Sequence, residues 1–120
     1  MGDTRLCIDI DVSNFEREWD LIFTLLKTIP YKCEYHLTSK GCHVIFSDLP
    51  DREDFRLWFG DDYNRVEMDR ERRRLGLRTN VLFIAKNGVK YEITHDVFKV
   101  INHVKQKYRE WRKWISRYKK

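Results

Sequence analysis

Seven apolar side chains near the C-terminus, Val97, Ile101, Val104, Tyr108, Trp111, Ile115 and Tyr118, recur at unbroken intervals of four and three. That period is one face of an α-helix. At 1.5 Å per residue such a helix runs roughly 30 Å, the diameter of a small domain. The chain has only 120 residues, so a stripe of that length demands an apolar layer beneath it or a partner against it. The rest of the chain must build that layer.

It does so with strands. Leu6, Ile8, Ile10 and Val12 alternate with Cys7, Asp9 and Asp11, which predicts a strand over residues 5–12. Ser13 with Glu16 three residues on makes a capping box, and Phe15, Trp19, Ile22, Leu26 and Ile29 predict a helix that Pro30 ends. Residues 31–38 alternate again, with Tyr31, Cys33, Tyr35 and Leu37 on one face and Lys32, Glu34, His36 and Thr38 on the other. A turn at Ser39-Lys40-Gly41 leads to a strand over 42–46, where Cys42, Val44 and Phe46 share a face and His43 points the other way. Asn87-Gly88 centres a second hairpin, residues 80–85 with 89–93, and Thr94 is positioned to cap the long helix over 95–118.

Residues 48–76 admit two readings. Asp48-Leu49-Pro50-Asp51 resembles a helix start, with Asp61-Asp62 after Gly60 capping a second helix to Leu75. Alternatively Phe55, Leu57 and Phe59 form a short strand ending at the acidic pair. The order β-α-β-β-α-β-β-α predicts an α+β fold: an antiparallel sheet of split β-α-β type, ferredoxin-like or RRM-like, with helices on one face. Residues 1–120 read as one domain, a core over 5–93 and a basic amphipathic helix over 94–120.

Composition narrows the class. No run of 18 apolar residues occurs, so no membrane span is expected. Cys7, Cys33 and Cys42 are odd in number beside an N-terminus without an export-like apolar stretch, so reduced thiols and a cytoplasmic setting are expected. No Cys-x-x-Cys, P-loop glycine pattern or nucleophile triad is present. Net charge is +5, but residues 102–120 carry eight Lys/Arg against Glu110 alone, so the basic excess lies in one helix. A second basic knot is Arg70, Arg72, Arg73, Arg74 and Arg78. Such clusters attract phosphate, and they also suit a solvated helix face.

The chemistry concentrates on the polar side of the first strand. If its apolar side faces the helices, Asp9, Asp11 and His43 meet on the open face of the sheet. Two carboxylates two residues apart on one strand repel unless a cation sits between them, and Mg²⁺ or Mn²⁺ takes such oxygen pairs, filling its other positions with water and phosphate. Asp-x-Asp alone also suits a solvated sheet face; its expected place on a central strand, beside a histidine on the neighbouring strand, favours a site.

Ile8-Asp9-Ile10-Asp11-Val12 resembles the first motif of the archaeo-eukaryotic primase superfamily, a hydrophobic strand carrying Asp-x-Asp. Thr38-Ser39-Lys40-Gly41-Cys42-His43-Val44-Ile45-Phe46 resembles its second, with Gly41 at the second glycine, His43 at the histidine, and Ser39 where the first glycine is expected. Val66-Glu67-Met68-Asp69-Arg70-Glu71-Arg72 resembles the segment after the last metal carboxylate, which points to Asp61 or Asp62, with Asp69 as the rival. The resemblance implies a metal-dependent nucleotidyltransferase of primase-polymerase type. Asp9, Asp11 and Asp62 or Asp69 would hold Mg²⁺ or Mn²⁺, and His43 would meet nucleotide phosphates. Ser39, Lys40, Arg72 and Arg74 would line the nucleotide pocket. Nucleotides, a single-stranded or template nucleic acid and a second protein subunit are the implied partners. The setting would be a minimal core replicating an archaeal or bacterial mobile element, a plasmid or a virus.

On the C-terminal helix the stripe reads as packing, while Arg109, Arg112, Lys113, Arg117 and the off-stripe Trp114 offer charge and a stacking ring to nucleic acid. The competing reading is a non-catalytic nucleic-acid-binding module on an RRM-like fold. Paired acids argue against it, because they would repel phosphate.

Overall fold

The computed structural model describes residues 5–15, 19–29, 31–80, 82, 85–86 and 88–118. Its elements are β1 (Arg5–Asp11), α1 (Trp19–Thr28), β2 (Cys33–Thr38), β3 (Gly41–Pro50), α2 (Glu53–Trp58), α3 (Tyr63–Arg74), β4 (Ala85–Lys86), β5 (Val89–Lys90), β6 (Glu92–Thr94) and α4 (Val97–Tyr118). The class is α+β: a four-stranded antiparallel sheet in the order β1-β3-β2-β6, a separate β4-β5 ribbon, and a long C-terminal helix.

The alternation of the strands decides the faces. Leu6, Ile8, Ile10, Cys33, Tyr35, Cys42, Val44 and Phe46 bury one face of the sheet against Phe23 and Leu26 of α1 and Val100, Ile101 and Val104 of α4. The α4 stripe is covered only as far as the sheet reaches. Val97, Tyr108 and Trp111 pack on the core, Ile115 is half-buried, and Trp114 and Tyr118 are exposed. The last turns of α4 therefore carry apolar rings beyond the layer that buries the first ones.

Several boundaries differ from expectation for physical reasons. Ser13 does not cap a helix; its backbone N–H and hydroxyl both donate to Asp11 Oδ1 (2.9 and 2.7 Å), and Val12–Phe15 is a 3-10 turn. Glu16 and Pro30 lie outside the described residues. Asp48-Leu49-Pro50 is not a helix start. β3 bulges and continues to Pro50, opposite Arg5, where a missing N–H costs little at a strand end. The helical reading of 53–74 holds: α2 forms, Gly60 turns at φ 84°, and Asp62 caps α3 by accepting from Asn64 N at 3.0 Å. The 55–59 strand does not form. Of the second hairpin, 81, 83, 84 and 87 lie outside the described residues, and the returning strand is split at Tyr91 into β5 and β6. Asp96, not Thr94, caps α4, accepting from Phe98 N at 3.0 Å.

Gly41 is the position the sheet cannot alter. A Cβ built there would overlap the carbonyl oxygen of Ile10, so β1 and β3 approach as closely as they do because residue 41 has no side chain.

Candidate functional site

Asp9, His43 and His36 sit in one row across β1, β3 and β2, since Asp9 pairs with His43 and His43 with His36 in the register. All three point away from the α1–α4 face. His43 Nε2 lies 3.6 Å from Asp9 Oδ1. That face is not open at this point: His36 and His43 are buried, and Tyr91 meets the His43 ring edge-on at 5.7 Å. His43 Nδ1 is buried with no hydrogen-bond partner, while His36 Nε2 bonds Glu34 Oε2 at 3.0 Å.

β1, expected at the centre of the sheet, lies at its edge among the described residues, because the fourth strand pairs with β2 instead, and its outer side is closed by side chains and a loop. Asp9 N donates to Asp61 Oδ1 (2.8 Å), and Asp62 N donates to Asp9 O (3.0 Å). Arg65 Nη1 donates to Cys7 O (2.9 Å), and Asn80 Nδ2 to Arg5 O (2.9 Å). The turn between α2 and α3 thus stands in for a strand, and it brings Asp61 and Asp62 beside Asp9.

Burial, then the charges of Asp61, Asp62 and Asp11, push the Asp9 carboxyl up to about 7. Burial, then His36 and Arg65, push the His43 imidazole down to about 4. Burial, and then the neighbouring carboxylates, hold Asp9 toward its protonated form, and it faces an imidazole that burial holds neutral.

The acidic residues divide into two groups. Asp61 spends both oxygens: Oδ1 accepts Asp9 N and Asp62 N, and Oδ2 accepts Arg56 Nε (2.7 Å) and Arg65 Nη1 (2.8 Å). Asp69 is also fully engaged, with Oδ1 on Arg72 (3.3 Å) and Oδ2 on Asn80 N (2.9 Å) and Arg56 Nη1 (2.9 Å). Arg56 is wholly buried between them. Asp62 and Asp11 each accept through Oδ1, from Asn64 and Ser13. Among the described residues no three His, Cys, Asp or Glu side chains form a ready metal group. Asp9 and Asp11 share β1, and Asp62 N donates to Asp9 O across the edge, but their carboxylates are not gathered around one point.

The other expected residues fall in two places. Arg72 pairs with Asp69, and Arg74 with Glu71 at 2.8 Å, so the α3 run is taken up by its own acids. Arg109, Arg112, Lys113 and Arg117 on α4 are in no ion pair with a described residue. Ser39 and Lys40 meet Asp11, Ser13, Lys107, Trp111 and Trp114 around a cleft of about 320 Å³. Sequence reasoning missed Arg56, Arg65 and Asn80. Arg65 had a signal, four residues after Asp61 on a helix. Arg56 had none, because its partners come from the loop and the next helix.

The chain matches no protein-family model, and no curated protein or solved structure matches it either.

Proposed function

We propose that this chain is a metal-dependent nucleotidyltransferase of primase-polymerase type, joining nucleotides along a nucleic-acid template in the replication of a mobile element. The observation that carries the reading is the Asp9–His43 contact on adjacent strands, with Asp11 two residues on and Asp62 at the strand edge. Asp9, Asp11 and Asp62 would hold Mg²⁺ or Mn²⁺; Asp61 and Asp69 would not, their oxygens being spent on arginines and backbone N–H groups. When bound, the metal supplies charge to activate a primer hydroxyl and to hold a triphosphate. His43 would meet phosphate through Nδ1, which has no hydrogen-bond partner but is buried beside Tyr91 and must be uncovered first, and Lys40 would have to reach that phosphate from the cleft side of the turn. The strand order, with β3 between β1 and β2, supports a split β-α-β sheet. The setting is the cytoplasm, with nucleotides, template and a second subunit as partners.

Two measurements test this. Mn²⁺ should raise the melting temperature, and a labelled primer on a template should be extended with Mn²⁺ and nucleotides. Asp9→Asn/Asp11→Asn should abolish both while staying folded. A metal response that survives the double change places the ion elsewhere. Extension absent at all metal concentrations leaves the second reading, a nucleic-acid-binding module, which the unpaired cations of α4 favour.

A further inference from the structure

The cleft between the β2–β3 turn and α4 joins two features far apart in sequence. It is lined by Trp111 and Trp114 of α4, by Ser39 and Lys40 of the turn and by Asp11, Val12 and Ser13, with Lys107 and Glu110 of α4 paired to each other at 3.4 Å. Its volume, about 320 Å³, is of the size that takes a small planar ligand. Just outside, Trp114 is half-exposed and lies against the exposed Tyr118 with ring centroids 5.0 Å apart. Lys113 and Arg117 lie next to Trp114 and Tyr118 along the helix, and neither is in an ion pair with a described residue.

We infer that this cleft and the projecting end of α4 bind single-stranded nucleic acid, one base lodging against Trp111 and Trp114 and the next on the outer Trp114–Tyr118 face. Lys40, then Lys113 and Arg117, follow the backbone. Three observations select this occupant. The cations are free to meet an external anion, unlike the arginines of α3, each of which faces an acid. Aromatic rings interleave with them at the spacing of a helix face, which suits stacked bases. A duplex has its bases already stacked and offers none to the cleft. The inference rests on the nucleic-acid partner proposed above and gives it a place on the surface; binding here needs neither metal nor catalysis, so it is tested apart from the chemistry.

The experiment uses metal-free full-length protein in EDTA, so that failure of the metal site cannot mimic failure of the cleft. Intrinsic tryptophan fluorescence is titrated with a ten-nucleotide oligothymidylate, its duplex with oligoadenylate, thymidine monophosphate, and vesicles of anionic phospholipid. The single strand should quench fluorescence and bind more tightly than duplex or mononucleotide. Trp114→Ala should weaken it roughly tenfold, and Lys40→Gln should flatten the salt dependence by about one phosphate contact. Both side chains are exposed, and an unchanged melting temperature checks that the variants fold. Equal affinity for the mononucleotide or the duplex, vesicle binding without oligonucleotide binding, or wild-type affinity in Trp114→Ala would each overturn the inference.

Discussion

Asp9 and His43 carry opposite shifts, and together they hide each other. Unfolded, an aspartate near 3.8 and a histidine near 6.5 hold one proton between them from pH 4 to 6.5, on the histidine. Folded, with Asp9 near 7 and His43 near 4, they again hold one proton, now on the carboxyl. Equal proton counts mean no pH dependence of stability from the pair over that window. Removing either partner should unmask the other. In Asp9→Asn, His43 alone is protonated unfolded and neutral folded, so stability relative to wild type should rise with pH. At about 1.4 kcal/mol per pH unit, the span from about 4 to 6.5 is worth roughly 3 kcal/mol. In His43→Gln, Asp9 is ionised unfolded and protonated folded, so relative stability should fall over the same window by a similar amount. The shifts persist in the variants because their main cause is burial, supplemented by Asp61, Asp62 and Asp11 around Asp9 and by His36 and Arg65 around His43. Tyr91 also packs on the His43 ring. Urea unfolding of the three proteins at pH 4.5, 5.5 and 6.5, without divalent metal, measures the differences. Parallel curves would refute the reasoning and mean that the folded pair is an ordinary ion pair.

Other perturbations follow from burial and close approach. Arg56→Met leaves the buried Asp69 and Asp61 without the cation between them and should cost about 3–5 kcal/mol, whereas Arg72→Met, which removes a partly exposed guanidinium while Asp69 keeps Arg56, should cost under about 1 kcal/mol; equal losses in urea would sink the distinction. Gly41→Ala must push the backbone of β1 off β3 and should cost about 2 kcal/mol or more, while Gly88→Ala, with open space around it at φ 78°, should lose only about 1 kcal/mol of backbone strain. Thermal melts that rank them the other way would be inconsistent with the Ile10 contact. Ile101→Ala empties a core position and should cost roughly 2–5 kcal/mol, but Tyr118→Ala, largely exposed, should shift stability by less than about 0.5 kcal/mol. A large Tyr118 effect would mean that the end of α4 is packed.

The strand faces were legible because period two leaves little choice. Once Leu6, Ile8 and Ile10 are committed to the core, Asp9 must share a face with His43, and the register bears this out. The α4 stripe was equally plain, but its sequence did not say where the covering layer stops; that depends on sheet length, and Ile115 to Tyr118 run past it. The 48–62 segment was least legible. Pro50 suits a helix start and a strand end alike, and only the pairing of Arg5 with Pro50 decides. The partners of Asp61 and Asp69 could not be read at all, because a buried arginine on a short helix has no local signature.

That hidden cluster explains how a strand at the sheet edge can carry a site. Among the described residues β1 has a strand neighbour on one side only, and an edge strand would ordinarily leave its outward N–H and C=O groups to water or to another chain. Here Asp61 and Asp62 take both backbone groups of Asp9, and Arg65 and Asn80 take the carbonyls of Cys7 and Arg5. Asp61 can do so because Arg56 and Arg65 neutralise it, and Arg56 is held in turn by Asp69. The arginines therefore serve two ends. They allow carboxylates to be buried, and they fix the Asp62 backbone against β1. Burial first, and then the charges of Asp61 and Asp62, raise Asp9 toward its neutral form, so a loop that closes the strand edge also adds to the shift of the residue at the centre of the candidate site.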